Sequence, residues 1–299
     1  LSTVLMNKED YMSEICKNWT QWLKQNRFAG LTPEMQEQTM RWLEAVRDVI
    51  MVYAEIKPYE TVLDIGTGTG LLAFRALELQ NCQGKVIFSD LFQDCLDDCK
   101  QILEKSGITT GYELLQCPVE HIALPESSVH KALMRSVLVH VTNKQPAISD
   151  IYRVLKPSGK LCAFEPIIRS NTRYWELLDP MYIEKYEDFK RVENEIMDNP
   201  LDSLCNFDED TLKMNLEIAG FSIPEVKLQE VRSKYVVQPN MVKEWFINPP
   251  SPNQPSTRER YLKYFDEKTV DKFMQDVQNY LTGREISLKT NAVFINATK

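Results

Sequence analysis

Short apolar runs alternate with helically spaced apolar residues through the middle of the chain. The runs are typical of buried strands, and the spacing between them predicts amphipathic helices. The alternation predicts an α/β fold in which helices cover both faces of a parallel sheet. The predicted strands are 61–65, 85–90, 112–117, 129–136 and 159–165, and the predicted helices are 70–80, 91–106 and 145–156.

On either side of this region the pattern is different. Residues 7–57 have helical spacing, and Thr32-Pro33-Glu34 is a good helix start, because threonine caps a helix and proline suits its first position. The later segments predict an aromatic helical stretch at 172–198, a helix at 208–219, a strand at 223–235, a proline-rich loop at 238–256, a helix at 257–282 and a last strand in KTNAVFINATK.

The composition is that of an ordinary globular protein, with 299 residues, 43% of them hydrophobic, and a net charge of −8 at pH 7. A negative chain argues against a general nucleic-acid binder, which would present a basic face. No run approaches the roughly 18 apolar residues that span a membrane, and the first residues do not have the pattern of a secretory signal. Seven cysteines without a framework spacing indicate reduced thiols and predict a cytoplasmic protein.

Cys95 and Cys99 stand four residues apart on a predicted helix. They could form half of a metal site or an arsenic-binding pair. They also belong to an apolar stripe with Leu96 and Leu103, and a free cysteine packs as a small hydrophobe. We therefore predict that the pair packs in the core and that the protein has no metal site.

The most informative stretch is VLDIGTGTG, Val62 to Gly70, which predicts a strand, a tight glycine turn and a helix start. Glycines leave the backbone bare where a ligand must come close. Asp64 stands before the turn, and twenty residues past Gly70 the second strand ends in Asp90, where an acid can accept both hydroxyls of a ribose. The spacing GxGxG and the preceding acid disfavour the related GxGxxG turn of NAD-binding proteins.

This stretch resembles motif I of the class I S-adenosylmethionine (SAM) methyltransferases. RVLKPSGKLCAFEP, which begins at Arg153, is similar to the RVLKPGG stretch of small-molecule methyltransferases. Ser158 replaces the first glycine of that pair, and we expect Gly159 to adopt any positive φ that the turn requires. MRSVLVHVTNK, which begins at Met134, resembles the SRxxxLHIxDK stretch of phosphoethanolamine-type enzymes. The resemblance is to the UbiE and phosphoethanolamine-methyltransferase type and spans about residues 60–166.

The resemblance implies a doubly wound, mostly parallel seven-stranded sheet with a helical N-terminal lid and helical cap insertions. Together with the order of the elements it divides the chain into six parts. They are a helical lid at 1–57, a SAM-binding Rossmann-like core at 58–166, a helical cap insertion at 167–205, a core helix and strand at 206–237, a proline-rich loop and helical insertion at 238–287, and a final core strand at 288–299.

The resemblance also implies the residues that bind SAM. Asp64 and the glycine turn are expected to hold the amino acid end, Asp90 the ribose, and the residues after the second and third strands the adenine. Pro118 stands where relatives often have an acid, so adenine recognition is expected to fall to its neighbours. The expected cofactor-binding residues are Asp64, Gly66, Thr67, Gly68, Gly70, Asp90, Leu91, Val119, Glu120 and Ser136.

His140 is the predicted catalytic base, because related enzymes have a histidine at the matching place, paired with a tyrosine from the lid. Tyr11 is the nearest such tyrosine in this chain. An unperturbed histidine titrates near pH 6.5 and could remove a substrate proton at neutral pH. A structural histidine after the strand is the alternative. Substrate contacts are predicted for Glu165 at the end of the fifth strand, for Arg169, and for Tyr182 in the aromatic stretch.

These features predict a cytoplasmic SAM-dependent methyltransferase that transfers a methyl group to an O or N atom of a small metabolite and releases S-adenosylhomocysteine. The expected partner is the small-molecule acceptor, with no nucleic acid and no membrane span. The alternatives are an arsenite-type methyltransferase, a SAM-binding regulator without turnover, and an NAD oxidoreductase.

Overall fold

The computed structural model describes residues 21, 23–25 and 28–299. Its strands are β1 (Thr61–Ile65), β2 (Lys85–Asp90), β3 (Tyr112–Gln116), β4 (Val129–Arg135), β5 (Leu155–Pro166), β6 (Ser222–Val236) and β7 (Glu285–Thr298). Its helices in the described part are α1 (Pro33–Ala54), α2 (Leu71–Gln80), α3 (Gln93–Lys105), α4 (Lys144–Val154), α5 (Tyr186–Met197), α6 (Glu209–Ala219), α7 (Met241–Ile247), α8 (Thr257–Tyr261) and α9 (Glu267–Leu281).

The strands form a seven-stranded sheet in the order β3-β2-β1-β4-β5-β7-β6. The first five strands pair in parallel, and β7 runs antiparallel between β5 and β6. The predicted doubly wound, mostly parallel sheet is therefore confirmed, including the return of the last strand from the C-terminal end of the chain. The strand order reverses at β1, and ligands of open α/β sheets bind where the order reverses, beyond the carboxyl ends of the strands.

Apolar side chains cover both faces of this sheet. On one face, Ile50 of α1 and Leu77 of α2 pack against Phe88 of β2. On the other face, Ile148 of α4 and Leu216 of α6 pack over the same sheet. All five side chains are at most 2% exposed, and each such burial contributes about 1.5–3 kcal/mol to folding.

A third apolar cluster is formed mainly by the helices of the C-terminal half, together with Ile286 of β7. The Phe189 ring of α5 stacks on Phe265 at 4.3 Å between centroids, and Phe246 of α7 and Phe273 of α9 are buried beside it. This packing explains why α7 forms inside the segment 238–256, which the prolines predicted to be a loop. No helix in the described part of the chain is long and apolar enough to cross a bilayer.

Two other helix predictions were wrong at their boundaries. The predicted helix 257–282 is broken into α8 and α9, because the Asp266 side chain accepts a hydrogen bond from Thr269 N at 2.8 Å and so caps a new helix. The predicted helical stretch 172–198 begins with two short 3-10 turns before α5, and Asp179 caps the second of them ahead of Pro180. Caps and prolines thus divide segments in which the apolar spacing is continuous.

The turn before the long part of β5 also differs from the expectation. Ser158 itself has a φ of +64°, whereas Gly159 does not have a positive φ. A Cβ on Gly159 would lie 2.8 Å from the carbonyl oxygen of Lys156, so this glycine is required by close backbone approach. The backbone strain of this turn therefore lies at Ser158, which carries a side chain, and not at Gly159.

Ser158→Gly is accordingly expected to raise the free energy of unfolding by about 0.5–1 kcal/mol, because glycine adopts the left-handed region without the Cβ clash. Ser149→Gly, at an exposed position within α4, is the control and is expected to lower it by about 0.5 kcal/mol. Urea unfolding of the two variants measures the difference. Destabilisation by both substitutions would contradict the assignment of strain to Ser158.

Candidate active site

A cavity of about 400 Å³ lies beyond the carboxyl ends of β1, β2 and β4. Its walls come from the glycine turn after β1, the ends of β2 and β3, the turn after β4, and the segment 250–254. Among its lining residues are His140 and all the predicted cofactor residues except Gly70, namely Asp64, Gly66, Thr67, Gly68, Asp90, Leu91, Val119, Glu120 and Ser136.

Asp64 holds the glycine turn through two hydrogen bonds. Its Oδ2 accepts hydrogen bonds from Thr67 Oγ1 at 2.7 Å and from Ala73 N at 3.1 Å. The second bond ties the carboxylate to the first turn of α2. The side chain is almost fully buried, and this burial raises the pKa of Asp64 to about 7. Asp64 therefore holds the turn in place in addition to lining the cavity.

Gly66 and Gly70 serve the turn in different ways. Gly66 has a φ of +62°, and a Cβ there would lie 2.5 Å from Cγ2 of Val137 in the turn after β4. The two turns that form the floor of the cavity can approach each other because this side chain is absent. Gly70 has a φ of +81°, and a Cβ there would overlap the Phe74 ring. Gly70 therefore allows α2 to begin, and it does not line the cavity.

Asp90 links the end of β2 to the glycine turn. Its Oδ2 accepts a hydrogen bond from Gly68 N at 2.9 Å, and its Oδ1 accepts one from Phe92 N at 3.0 Å. Burial raises the pKa of this carboxyl group, whereas the two backbone donors oppose that shift. A carboxylate with two oxygens has further acceptor sites, which are the sites that ribose hydroxyls require.

The end of the cavity beside β2 and β3 is mostly apolar. Leu91 is partly exposed, Val119 is buried, and the exposed Glu120 stands at the rim. Leu23, from the N-terminal part, also lines the cavity, and the ammonium group of Lys24 pairs with the carboxylate of Asp98 on α3. The predicted catalytic residue Tyr11 lies outside the described residues.

The turn after β4 carries His140 and is built on a buried carboxylate. Ser136 follows the strand with a φ of +57°, and its N–H donates to Phe164 O at 2.8 Å. The Glu165 side chain accepts hydrogen bonds from the N–H groups of Val137, Leu138 and Val139 at 2.8, 3.1 and 3.2 Å. These bonds position the 3-10 turn Leu138–His140 at the edge of the cavity.

The charge state of His140 differs from the sequence-based expectation. Burial, together with the cationic Lys144 and Arg135, lowers the pKa of His140 to about 4. The ring is therefore neutral throughout the physiological range and can accept a proton at pH 7, but it does not titrate near neutral pH. The expected unperturbed titration was wrong because the turn encloses the ring among apolar groups and two cations.

The three predicted substrate contacts do not lie in this cavity. Glu165 is fully buried, and both of its oxygens accept from the β4 turn. Arg169 has Asp208 at 3.4 Å and Asp198 at 3.9 Å. Tyr182 is 61% exposed, and its ring lies against Tyr280. Glu165 and Arg169 already bond to neighbouring protein groups, and Tyr182 packs on Tyr280, so none of the three side chains lines the cavity.

Several residues of the site are not among the predicted site residues. Arg135, the last residue of β4, lines the cavity. Lys144 lies beneath it, and its ammonium group donates to Val141 O at 2.8 Å and to Ser203 O at 2.9 Å, which fastens the β4 turn to the segment 203–206. The segment 250–254 contributes Pro250, Ser251, Asn253 and Gln254. Arg135 and Lys144 belong to the quoted stretch MRSVLVHVTNK, whereas the segment 250–254 lies in a region without a motif.

The donor set and the shape of the cavity fit SAM. Asp90 can accept the ribose hydroxyls, the apolar end near Val119 suits adenine, and the acidic Asp64 with the bare Gly66 turn suits a cationic amino acid end. When bound, SAM supplies an electrophilic methyl group on a sulfonium. In the described part of the chain, no group of three or more His, Cys, Asp or Glu side chains could hold a metal ion.

Comparison with known proteins supports this assignment. The family profile described as "Methyltransferase domain" matches residues 56–204, which include the glycine turn, Asp90 and the β4 turn. The chain belongs to the class I SAM-dependent methyltransferases, and SAM is its cofactor. The predicted enzyme class is thereby confirmed, in place of an NAD oxidoreductase or a regulator without turnover.

Particular relatives are similar over more than this profile. The ubiquinone/menaquinone biosynthesis C-methyltransferase UbiE of Francisella tularensis subsp. novicida is 29% identical over 177 residues, which are 56% of this chain and 68% of that enzyme. A putative methyltransferase from Bacillus halodurans has a TM-score of 0.52 at 22% identity, covering 85% of this chain and 98% of that one. Phosphoethanolamine N-methyltransferase 2 of Haemonchus contortus, solved with S-adenosyl-L-methionine, has a TM-score of 0.51 at 16% identity. The match covers 94% of this chain and 60% of that one. The structural matches show the fold alone.

Proposed function

We propose that this enzyme transfers the methyl group of SAM to an O or N atom of a small-molecule metabolite. The observation that carries the proposal is the second half of the cavity, beyond the part that suits SAM. It is lined by Val137, Val139 and His140 of the β4 turn, by Ile168, and by the segment 250–254.

This acceptor half is walled on several sides, which suits a small molecule better than the surface of a polymer. Ser251 is 1% exposed, and its carbonyl accepts from Gln254 N at 3.1 Å, so the segment forms a tight turn over the cavity. Apart from the cationic Arg135, the residues of this wall are apolar or uncharged, and these include the neutral His140. We infer an acceptor with an apolar body and few polar groups.

The chain's contribution to the reaction is mainly orientation, because methyl transfer from a sulfonium is an in-line displacement. Alignment of two reactants can supply about 7–11 kcal/mol in favourable cases. The neutral His140 ring, at the edge of the acceptor half, would accept the proton of a hydroxyl or ammonium nucleophile through one of its ring nitrogens. Glu165 positions the turn that carries this ring.

A carbon acceptor is the second candidate, because the UbiE relative is named as a C-methyltransferase and is similar over 177 residues. A carbon nucleophile forms its bond from an electron-rich position and also loses a proton. The same His140 ring could remove it. The two candidates differ in the product, since the new methyl group is bonded to oxygen or nitrogen in one and to carbon in the other.

We also propose a cytoplasmic location and a role for the N-terminal residues as a lid. No disulfide joins two of the described cysteines, as in proteins of a reducing compartment. Leu23 lines the cavity, and Lys24 pairs with Asp98, so residues of the N-terminal part contact the site. The net charge of −8 supports the absence of nucleic acid among the partners.

The test is transfer of radiolabelled methyl groups from SAM to three kinds of acceptor: a metabolite mixture, a peptide library and total RNA. We expect labelled product in the metabolite fraction alone. Carbon-13 NMR of the product then assigns the methyl group to oxygen, nitrogen or carbon. Label only in peptide or RNA would show that the proposed acceptor class is wrong.

Gln254 offers a second check of the acceptor half. Its Nε2 donates to Ser203 Oγ at 3.1 Å, and its Oε1 accepts from Arg260 Nη2 at 3.1 Å, so it is held at the wall. Gln254→Trp should fill the acceptor half and lower kcat/KM for the acceptor identified above by about tenfold or more. Gln275→Trp, at an exposed position on α9, is the control. An equal loss of SAM affinity in calorimetry would place Gln254 at the cofactor and not at the acceptor.

A further inference from the structure

Arg135 occupies a special position at the edge of the sheet. It is the last residue of β4 and pairs with Phe164 of β5, while its neighbour Met134 pairs with Ile65 at the start of the glycine turn. Ser136 then turns the chain away with its positive φ. The Arg135 side chain is therefore the last one of β4, lies at the level of the glycine turn, and lines the cavity.

The guanidinium of Arg135 has no carboxylate partner among the described residues. The two carboxylates that act on it electrostatically are Asp64 and Glu165, and neither forms an ion pair with it within 4.0 Å in the described part of the chain. Backbone N–H groups and Thr67 already donate to these two carboxylates. The hydrogen bond that Arg135 makes within the described part joins Nη1 to Ser136 Oγ at 3.4 Å.

A guanidinium carries five N–H donors, and a charge removed from water is costly unless it is paired. Burial lowers the pKa of Arg135, which reflects that cost. The donors that remain are available on the side of the cavity. A planar fork of this kind binds a carboxylate through two parallel hydrogen bonds. The cavity is thus built to receive an anion at this point.

We propose that Arg135 binds the α-carboxylate of the amino acid end of SAM. Asp90 fixes the position of the ribose at the end of β2, and the apolar pocket beside Val119 lies on the far side of it. The amino acid end must therefore extend the other way, past Gly66 toward the end of β4. Arg135 stands there, and the carboxylate of SAM is the anion that the cofactor itself brings. The proposal rests on the SAM cofactor and is independent of the acceptor.

An anionic group on the acceptor could also pair with Arg135. The experiment therefore has to distinguish an anion of SAM from an anion of the acceptor. Calorimetry of the full chain uses two probes, SAM and decarboxylated SAM, which keeps the sulfonium and the amine but has no carboxylate. We expect Arg135→Gln to weaken SAM binding by about 10- to 100-fold. Binding of decarboxylated SAM should stay unchanged or become tighter, because a like charge has been removed from beside two cations.

Arg169→Gln is the matched control, since Arg169 is a partly exposed arginine whose carboxylate partners lie outside the cavity. It should leave the affinities for both probes unchanged. Arg135→Lys keeps the charge but not the fork, so it should weaken SAM binding by a smaller factor and again spare decarboxylated SAM. If Arg135→Gln does not fold, Arg135→Lys still tests the proposal. Thermal unfolding without ligand shows whether each variant is folded.

Two results would overturn the proposal. An equal loss of affinity for both probes would show that Arg135 supports the cavity without contacting the carboxylate. Unchanged affinity for SAM with reduced turnover would assign the guanidinium to the acceptor. A loss confined to SAM supports the pairing, and it does so whatever the acceptor proves to be.

Discussion

Replacing His140 with alanine is expected to lower kcat by about 10²–10⁴-fold while SAM affinity changes by less than about twofold, because the ring would act on the acceptor's proton and not on the cofactor. The measurement is single-turnover methyl transfer with the identified acceptor, beside calorimetry with S-adenosylhomocysteine. His121→Ala, which removes an exposed histidine, is the control. Full turnover in the His140 variant would assign the ring a structural role.

The pH dependence follows from the depressed pKa of His140, about 4. Above that value the ring is neutral and able to accept a proton, so kcat should be level from about pH 6 to 8 and fall only as the pH approaches 4. A base with an ordinary pKa would instead give a rate that rises through about pH 6.5. A rise in that range that persists in the His140 variant would belong to another group.

The same shift affects stability. Below the ordinary pKa of 6.5 the unfolded chain binds a proton at His140, whereas the folded chain does not until about pH 4. Stability is therefore lost as the pH falls from 6.5 to about 4, by up to about 3 kcal/mol from this residue. Urea unfolding at several pH values should show a weaker pH dependence in the His140 variant. An unchanged slope would mean that the ring is not buried in solution.

Asp90→Ala is expected to weaken SAM binding by about 10- to 150-fold, because a charge-assisted hydrogen bond contributes about 1.5–3 kcal/mol. The free energy of unfolding should also fall by about 1–3 kcal/mol, since Gly68 N and Phe92 N both lose their acceptor. Calorimetry with SAM and urea unfolding without ligand separate the two effects. The variant should remain folded under the assay conditions, so the weaker SAM binding would come from the lost contact and not from unfolding.

Asp90→Asn sharpens this test. An amide has a single acceptor oxygen, so it can keep one backbone hydrogen bond but cannot bind both ribose hydroxyls as a carboxylate can. We expect a smaller loss of stability than in the Ala variant, because one of the two backbone donors keeps its acceptor, and the loss of most of the SAM affinity. Asp97→Asn, at an exposed position on α3, is the control. SAM affinity equal to that of the parent in the Asn variant would remove Asp90 from the ribose site.

Local patterns determined the core of the fold and the cofactor half of the site. Apolar runs of strand length with glycines at their ends were enough to predict β1 and β2, and the spacing from Gly66 to Asp90 indicated the edge of the sheet at which a cofactor binds. These features depend on neighbours within a few residues or on one strand-helix-strand unit. The seven-stranded, mostly parallel sheet followed from the family resemblance and not from the pattern itself.

The acceptor half depended on contacts between residues far apart in the chain. Gln254 reaches the cavity because Ser203 and Arg260 hold its side chain, and no property of its neighbours in the sequence predicts that contact. Glu165 was predicted to bind substrate because it ends a strand at the site, yet the N–H groups of the β4 turn use its carboxylate. A residue's position at a strand end is a local property, whereas the direction and partners of its side chain are not.

The sequence by itself therefore determined an α/β chain with a glycine turn and an acid suited to a cationic nucleoside derivative, because strand length, helix period and turn chemistry are short-range properties. Only the tertiary structure decided the charge of His140, the open donors of Arg135 and the wall formed by the segment 250–254. Desolvation and ion pairing depend on which groups meet after folding. The shift of the His140 pKa from 6.5 to about 4 results from burial and from the neighbouring cations Lys144 and Arg135.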